Sequence, residues 1–264
     1  MSEFTNYSVK RSRAKKSLGQ HFLLDRNAIA RITEAIPQGA QVLEIGPGRG
    51  AITDALLKRA QRLILIEKDD ALVAEWQAKA RAIASLSVIH GDALELIAQA
   101  VSTYQPQWIV GNLPYNISGP LSAALFACQL SGGMVLMYQR EVGERIRADA
   151  GSKTYGGLSV LARHFYDVQR LLSLPPGAFS PPPKVHSAVL LFTPHGRTPV
   201  CEYSMLQKTV RQGFAHRRKT IANNFRGVLD AADWQRLEIN AGLRPEQLDY
   251  AVWARLARFL SEKN

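Results

Sequence analysis

The chain has 264 residues and carries 33 Lys and Arg against 22 Asp and Glu, a net charge of +11 with a pI near 9.9. That excess of positive charge favours a polyanionic partner, with a solubilising surface as the simpler alternative. Cys128 and Cys201 lack paired or metal-binding spacing, so we expect no disulfide and no zinc site, as in a protein of the reducing cytoplasm. No run approaches the roughly 18 apolar residues of a membrane span, so we expect neither secretion nor membrane insertion.

Short β-rich apolar runs alternate with helical patterns over the first half of the chain. Strands are predicted at residues 41–45, 62–67, 86–90, 107–111 and 134–139. Helices are predicted at residues 25–36, 51–59, 70–84 and 119–128. This alternation predicts an α/β fold in which right-handed crossovers build a mostly parallel sheet that is covered on both faces.

The pattern changes towards the C-terminus. Two further strands are predicted at residues 168–174 and 187–192, around a Pro-rich segment, and an antiparallel edge hairpin is one arrangement that fits them. Residues 193–199 hold two prolines and a glycine. Helices follow at residues 203–215, 219–225, 231–241 and 250–260. We therefore predict a first domain over residues 1–195 and a small all-helical domain over residues 196–264.

A glycine-rich turn follows the first predicted strand, with Gly46, Gly48 and Gly50 spaced by Pro47 and Arg49. Glycines let the backbone approach a ligand closely, and the N-terminus of the next predicted helix offers N–H groups to an anion. The spacing is G-x-G-x-G, not the dinucleotide fingerprint G-x-G-x-x-G. A pyrophosphate site is therefore the weaker interpretation, and the carboxylate end of a smaller cofactor fits better.

Acidic residues stand at the ends of the next two predicted strands. Glu67 follows Gly50 by 67 − 50 = 17 positions, about where a carboxylate accepts hydrogen bonds from ribose hydroxyls, although it could also be an ordinary strand-end residue. Asp92 ends the third strand, where it could accept from an adenine amino group. Because the carboxyl ends of parallel strands meet at one edge, we expect these residues and Asn112 to line one crevice.

The fourth strand leads into Asn112-Leu113-Pro114-Tyr115, which resembles the amine-methylating signature of adenine methyltransferases. The adenine amine is a poor nucleophile, and the Asn112 side-chain oxygen with the Leu113 carbonyl would supply acceptors that draw it towards tetrahedral geometry. Pro114 biases Leu113 towards an extended backbone, and Tyr115 can stack on the base. A plain turn after a strand is the alternative for so short a motif.

Eight motifs match one family pattern in order. They lie at residues 17–23, 42–50, 66–67, 91–93, 111–118, 152–159, 175–185 and 214–220. The family they resemble is the small-subunit rRNA adenine dimethyltransferases, and the likeness covers nearly the whole chain. It implies a Rossmann-like S-adenosylmethionine-dependent methyltransferase sheet with a small C-terminal all-helical domain. It also implies N6,N6-dimethylation of two adjacent adenosines near the 3′ end of 16S rRNA in the 30S subunit or its precursor, by a monomer with a role in subunit biogenesis.

The resemblance also implies roles for individual residues. Gln20, His21 and Leu23 would pack over the cofactor. The other cofactor contacts would come from Gly46 and Gly48 at the methionine portion, Glu67 at the ribose, Asp92 and Ala93 at the adenine, and Asn112. Phe179 would face Tyr115 across the target base. Two residues depart from the family, with His21 where Asn is common and His186 where Asp is common. A structural contact is the expectation for His186.

The implied reaction is a direct displacement, in which the amine attacks the sulfonium methyl in line. The enzyme contributes orientation and acceptors for the developing positive charge. The sequence offers no strong general base, and none is required, since the amine becomes acidic once methylated and loses its proton to solvent. No metal is needed either.

Two basic segments are candidates for RNA phosphate contacts. The first holds Lys10, Arg11, Arg13, Lys15 and Lys16, with a mobile tail as the alternative. The second is Arg217-Arg218-Lys219, predicted to open a helix of the second domain, with a solvated helix face as the alternative. Phosphate contacts of this kind would make binding dependent on salt.

Three other functions stay open. A 23S rRNA adenine methyltransferase shares the core motifs, but residues 155–159 and the Pro-rich segment favour the small-subunit enzyme. The chain could also act mainly as a non-catalytic ribosome-assembly factor. A dehydrogenase would require binding of NAD in place of S-adenosylmethionine.

Overall fold

The structure, a computed structural model, describes residues 19–263. Its strands are β1 (Phe22–Leu23), β2 (Gln41–Ile45), β3 (Arg62–Glu67), β4 (Leu86–His90), β5 (Trp108–Asn112), β6 (Gly133–Gln139), β7 (Tyr166–Leu174), β8 (Phe179–Ser180) and β9 (Ser187–Pro194). Its α-helices are α1 (Arg26–Glu34), α2 (Thr53–Leu56), α3 (Asp70–Ala80), α4 (Ala93–Tyr104), α5 (Ser118–Phe126), α6 (Arg140–Arg147), α7 (Gly157–Ala162), α8 (Tyr203–Gly213), α9 (Ile221–Asn224), α10 (Ala231–Leu237) and α11 (Tyr250–Lys263). Within this part of the chain, no helix is both long and apolar enough to cross a membrane.

Seven strands form one mixed sheet in the order β4-β3-β2-β5-β6-β9-β7. The first five are parallel, and β9 runs antiparallel to both β6 and β7. The predicted α/β sheet and its edge hairpin are therefore confirmed, with a register shift in β7 between Arg170 and Leu172. A separate two-stranded sheet pairs β1 with β8.

Several helices were predicted with the wrong extent, and three helices of the structure were not predicted. The helix predicted at residues 51–59 is only the single helical turn α2, and the residues on both sides of it form non-helical turns. No helix was predicted for α4, although Asp92 caps it by accepting from the Leu94 N–H at 2.9 Å. The helices α6 and α7 were also missed. The helix predicted at residues 231–241 ends at Leu237, where Glu238 takes a left-handed conformation with φ 53°.

Two apolar clusters pack on the opposite faces of the sheet. In β2, Val42 points to one cluster while Leu43 and Ile45 point to the other, as the two-residue period of a strand requires. The cluster that contains Leu43 and Ile45 continues into the C-terminal helices through residues such as Leu206 and Trp253. The expected boundary at residues 195 and 196 falls between β9 and α8, but one core crosses it, so the division into two domains stays a prediction.

A buried histidine lies where the C-terminal helices meet the sheet. His164, only 1% exposed, follows α7, and its Nδ1 lies 3.1 Å from the Tyr250 hydroxyl of α11. Its Nε2 has no hydrogen-bond partner among residues 19–263. Burial, with His195 nearby, lowers the pKa of His164 to about 4. The imidazole is therefore neutral in the folded protein at pH values where it would be charged in the unfolded chain.

His164 should make the protein lose stability in mild acid. Its folded pKa lies below the unfolded value of about 6.5, so the unfolded chain binds the extra proton, and stability falls as the pH drops from about 6.5 towards 4. The expected loss is on the order of 1 to 3 kcal/mol. Urea unfolding at pH 7.5 and pH 4.5 should show a smaller difference in the free energy of unfolding for His164→Gln than for the natural chain. Equal pH dependence in the two proteins would contradict the assignment.

Candidate active site

A cavity lies at the carboxyl edge of the sheet, beyond the ends of β2, β3, β4 and β5. The chain order reverses at β2, with β3 and β4 on one side and β5 and β6 on the other, which is where open α/β sheets bind ligands. The structure brings to this cavity all the residues that the resemblance assigned to the cofactor: Gln20, His21, Leu23, Gly46, Gly48, Glu67, Asp92, Ala93 and Asn112. Leu113, Pro114 and Tyr115 line it as well. The individual roles of these residues stay predictions.

The glycine-rich turn needs glycine for conformation and for space. Gly48 has φ +55°, and a Cβ there would lie 2.9 Å from the Phe22 ring. Gly50 has φ +89°, and a Cβ there would lie 2.7 Å from the Trp76 ring. The turn is also tied to its neighbours, since the Trp76 indole N–H donates to the Gly48 carbonyl at 3.0 Å. Because α2 has only one turn, an anionic group here would depend on the glycine turn more than on a helix dipole.

Glu67 does more than an ordinary strand-end carboxylate. Its Oε2 accepts from the Gly48 N–H at 3.2 Å, and its Oε1 accepts from the N–H groups of Lys68 and Asp69 at 2.8 and 2.9 Å. Burial raises the pKa of this carboxyl, and the three backbone bonds oppose the rise. Two carboxylate oxygens have about four acceptor sites, so Glu67 can hold the turn and still accept from a ribose hydroxyl.

Glu44 is a site residue that the sequence analysis passed over. It lies within β2 between Leu43 and Ile45, is 2% exposed, and lines the cavity. Its Oε2 has no hydrogen-bond partner within the described part of the chain, and burial raises its pKa to about 8. A cationic ligand group would supply the missing partner, which fits the ammonium end of S-adenosylmethionine. The available signal was a carboxylate between apolar residues of a predicted strand.

Glu44 should make the free protein less stable as the pH rises. Its folded pKa of about 8 lies above the unfolded value of about 4.3, so the folded protein binds the extra proton between these values and stability falls with rising pH. Urea unfolding from pH 5 to pH 9 should show that Glu44→Gln removes a decrease on the order of a few kcal/mol. A variant with the same pH profile as the natural chain would contradict this account.

Asp92 is held in place by its neighbours. Its Oδ1 caps α4, and its Oδ2 accepts from the Lys68 ammonium at 2.8 Å. The hydrogen bond from Lys68 is the main reason that the pKa of Asp92 is lowered, so the carboxylate is ionised at neutral pH. Lys68 itself lines the cavity and was not predicted. Each Asp92 oxygen keeps a lone pair for a donor such as an adenine amino group.

The N-terminal segment closes one wall of the cavity. The Gln20 amide donates to the Asp69 carboxylate at 3.1 Å, which ties the segment to the start of α3. Leu23 is buried, and the Arg49 guanidinium lies 4.3 Å above the centre of the Phe22 ring. Cation–π contact of this kind holds the segment against the glycine turn.

Asn112 ends β5 and enters the cavity with a fixed amide. Its Nδ2 donates to the His21 carbonyl at 2.7 Å, which leaves Oδ1 as an acceptor. Leu113 is buried, and its N–H donates to the Met137 carbonyl at 3.2 Å. The Tyr115 hydroxyl lies 2.8 Å from the Ser187 hydroxyl of β9, so this ring is anchored at its far end.

Among the described residues no ring contact joins Phe179 to Tyr115, and the expected position of Phe179 across the target base stays a prediction. Phe179 is 3% exposed, packs in an apolar cluster, and is not among the residues lining the cavity. The physical reason is that β8 pairs with β1, with Phe179 opposite Leu23. The ring that stacks on Tyr115 is His21, with centroids 5.6 Å apart and planes at 27°. His186 is exposed, and its backbone carbonyl accepts from the Arg140 N–H at 2.9 Å.

The two basic segments have different outcomes. Lys10, Arg11, Arg13, Lys15 and Lys16, like the first two residues of the motif at 17–23, lie outside the described residues. The prediction that Arg217-Arg218-Lys219 opens a helix is wrong. These residues form a turn before α9, which begins at Ile221 because the Thr220 hydroxyl caps it.

Within this turn the three cations differ. The Arg217 guanidinium donates to the carbonyls of Lys153 and Tyr155, so it joins the C-terminal helices to the loop before α7. All three are exposed, but among the described residues no side-chain hydrogen bond engages Arg218 or Lys219. These two are therefore the better candidates for phosphate contacts.

Comparison with known proteins gives a consistent assignment. A sequence model of the family described as ribosomal RNA adenine dimethylase matches residues 11–262. A Coxiella burnetii protein named ribosomal RNA small subunit methyltransferase A is 41% identical over 258 residues, covering 96% of this chain and 100% of the relative. A protein of that name from Xanthomonas oryzae pv. oryzae is 44% identical over 249 residues, covering 92% and 95%.

Solved structures agree with these sequence relatives. A dimethyladenosine transferase from Plasmodium falciparum superimposes with a TM-score of 0.74 at 25% identity, covering 89% of this chain and 96% of the other. The 23S rRNA methyltransferase ErmE superimposes with a TM-score of 0.62 at 22% identity, covering 91% and 99%, which is a likeness of fold alone. With the family match extending over almost the whole chain, this protein belongs to the ribosomal RNA adenine dimethylase family.

Proposed function

We propose that this protein transfers methyl groups from S-adenosylmethionine to the N6 amines of two adjacent adenosines near the 3′ end of 16S rRNA. Each adenosine becomes N6,N6-dimethylated, in the 30S subunit or its precursor. The observation that carries the proposal is the Asn112 amide, whose nitrogen donates to the His21 carbonyl and whose oxygen is left as an acceptor beside the cofactor cavity. Family membership and relatives named for the small subunit support the choice of substrate.

The cavity residues suit S-adenosylmethionine from end to end. Glu44 would take the cationic amino group, the turn at Gly46 and Gly48 the methionine portion, and Glu67 the ribose. Asp92, beside Ala93, would accept from the adenine amino group. The cofactor supplies a methyl group on a positively charged sulfur, a carbon open to attack by a nucleophile.

The residues of the protein then orient the nucleophile. Asn112 Oδ1 and the Leu113 carbonyl accept from the amine and stabilise positive charge as it develops, while Tyr115 stacks on the base. No side chain has to remove a proton, because the methylated amine releases one to solvent. Burial raises the pKa of Tyr115 above its ordinary value, so its hydroxyl stays protonated at neutral pH and does not act as a base.

RNA binding is assigned to both ends of the chain. In the helical part at residues 196–264, phosphates would be contacted by Arg218 and Lys219, together with Arg217. In the catalytic part at residues 1–195, they would be contacted by the N-terminal cluster Lys10, Arg11, Arg13, Lys15 and Lys16. The protein acts as a monomer in the cytoplasm and contributes to subunit biogenesis.

Replacing Arg218 and Lys219 together by alanine should weaken binding of 30S subunits. It should also reduce the slope of log affinity against log salt by about 1 to 2, because each phosphate contact that is lost no longer releases a counterion on binding. Filter binding over a range of KCl concentrations measures both. Lys58→Ala is the matched control, since Lys58 is exposed beside α2, near the opposite edge of the sheet. The same slope in the double variant and the control would remove these two residues from the RNA surface.

The proposal is tested by incubating the protein with labelled S-adenosylmethionine and unmethylated 30S subunits, then mapping the modified bases. Two adjacent dimethylated adenosines near the 3′ end of 16S rRNA are expected. Methylation of naked 23S RNA alone would overturn the choice of substrate. Calorimetry that detects binding of NAD but not of S-adenosylmethionine would overturn the enzyme class.

A further inference from the structure

The His21 side chain joins three parts of the active site. Its ring stacks on Tyr115 with centroids 5.6 Å apart and planes at 27°. Its Nδ1 lies 2.8 Å from the Pro181 carbonyl of the Pro-rich segment. Its own carbonyl accepts from the Asn112 amide. A carbonyl can only accept, so Nδ1 carries the proton and the imidazole is held at both its edge and its face.

The imidazole occupies one face of Tyr115, the ring proposed to stack on the target base. Aromatic rings stack with carbon atoms about 3.5 Å apart, so a purine between two rings requires them to stand about 7 Å apart. His21 and Tyr115 are closer than that. The base and the imidazole therefore cannot share this face of Tyr115. Phe179, expected on the far side of the base, is buried and does not line the cavity.

The side chain of His21 can leave without disturbing the backbone. Residues 22 and 23 form β1, which pairs with β8, and the Asn112 bond is made to the His21 main chain. Rotating the imidazole breaks one hydrogen bond and one stack, and the residue is only half-buried. Asn112 would keep its orientation while the ring moved.

We propose that His21 stacks on Tyr115 in the free protein as a stand-in for the target base, and that the entering adenine displaces it. This inference rests on the proposed function, because it concerns the base that the enzyme methylates. The displacement acts as a filter. Only a base that stacks on Tyr115 and also donates its amine to Asn112 replaces the stack and the hydrogen bond that the His21 side chain gives up with a stack and a hydrogen bond of its own.

Two substitutions separate the ring from the hydrogen bond. His21→Asn removes the ring and retains a polar donor, whereas His21→Phe retains a ring and loses the donor. Binding of unmethylated 30S subunits is measured at saturating S-adenosylhomocysteine, so that any change in cofactor affinity is suppressed. His21→Asn should lower the Kd for subunits by about 2- to 10-fold, the range expected for one aromatic stack. His21→Phe should not lower it.

A double-mutant cycle with Tyr115→Leu tests the mechanism. The gain from His21→Asn should disappear when Tyr115 is replaced, because no stacking face is left to uncover. A Kd that rises or stays unchanged in His21→Asn overturns the inference. So does a gain of the same size in the Tyr115→Leu background.

The stack itself is measured without RNA. The ring protons of His21 should show NMR shifts caused by the Tyr115 ring, and Tyr115→Leu should remove them. Signals that do not move overturn the inference whatever the RNA results. Natural protein that neither binds nor methylates 30S subunits overturns the proposed function and this inference together, whereas binding without the predicted gain overturns this inference alone.

Discussion

Asn112→Ala is expected to lower kcat for methyl transfer by about 10²- to 10³-fold, the loss typical of removing one preorganised acceptor or donor at a reacting centre. The Asn112 amide has its donor engaged by the His21 carbonyl at 2.7 Å, so its oxygen is held in one orientation. Alanine removes that acceptor and leaves the basic surfaces unchanged. Binding of 30S subunits should therefore be retained.

The measurement is single-turnover methylation of unmethylated 30S subunits, with subunit binding followed separately. Asn27→Ala is the matched control, because Asn27 is an exposed residue of α1 outside the cavity. A fully active Asn112→Ala protein would remove the catalytic assignment. Normal subunit maturation in cells with the inactive variant would mean that assembly, and not methylation alone, is a duty of this protein.

Gly48→Ala is expected to destabilise the protein by about 2 to 5 kcal/mol and to weaken cofactor binding to a similar extent. Two costs add: a left-handed residue with a Cβ costs about 1 to 2 kcal/mol, and overpacking costs about 1 to 3 kcal/mol. Gly48 has φ +55°, and the new Cβ would lie 2.9 Å from the Phe22 ring. Any shift of the turn would also disturb the bond from the Gly48 N–H to Glu67.

Gly39→Ala separates the two costs. Gly39 also has a positive φ, +81°, but a Cβ there meets no atom within 4 Å. That variant should lose about 1 to 2 kcal/mol and keep its affinity for the cofactor. Urea unfolding and calorimetry with S-adenosylhomocysteine measure the two effects. Equal losses in the two variants would show that the contact with Phe22 does not matter.

Much of the site was predictable because it lies where strands end. The apolar runs at Gln41–Ile45, Arg62–Glu67 and Leu86–His90 have the same bounds in the structure as in the prediction. Parallel strands then bring Glu67, Asp92 and Asn112 to one edge, whatever the details of packing. Short helices were predicted less well, since α2, α6 and α7 have too few residues for a clear helical period.

By itself, the sequence determined the sheet, the family and the crevice, because strand periodicity and short motifs depend on residues that are close to one another in the sequence. Only the tertiary structure decided what each side chain meets. It showed that Glu44 is buried with an unsatisfied oxygen, and that the His21 ring stacks on Tyr115. The burial of Glu44 depends on β2 lying between β3 and β5, and the position of the His21 ring depends on the pairing of β1 with β8 and on a contact with Pro181, 160 residues away. Burial and long-range pairing belong to the packed chain, and no local pattern specifies them.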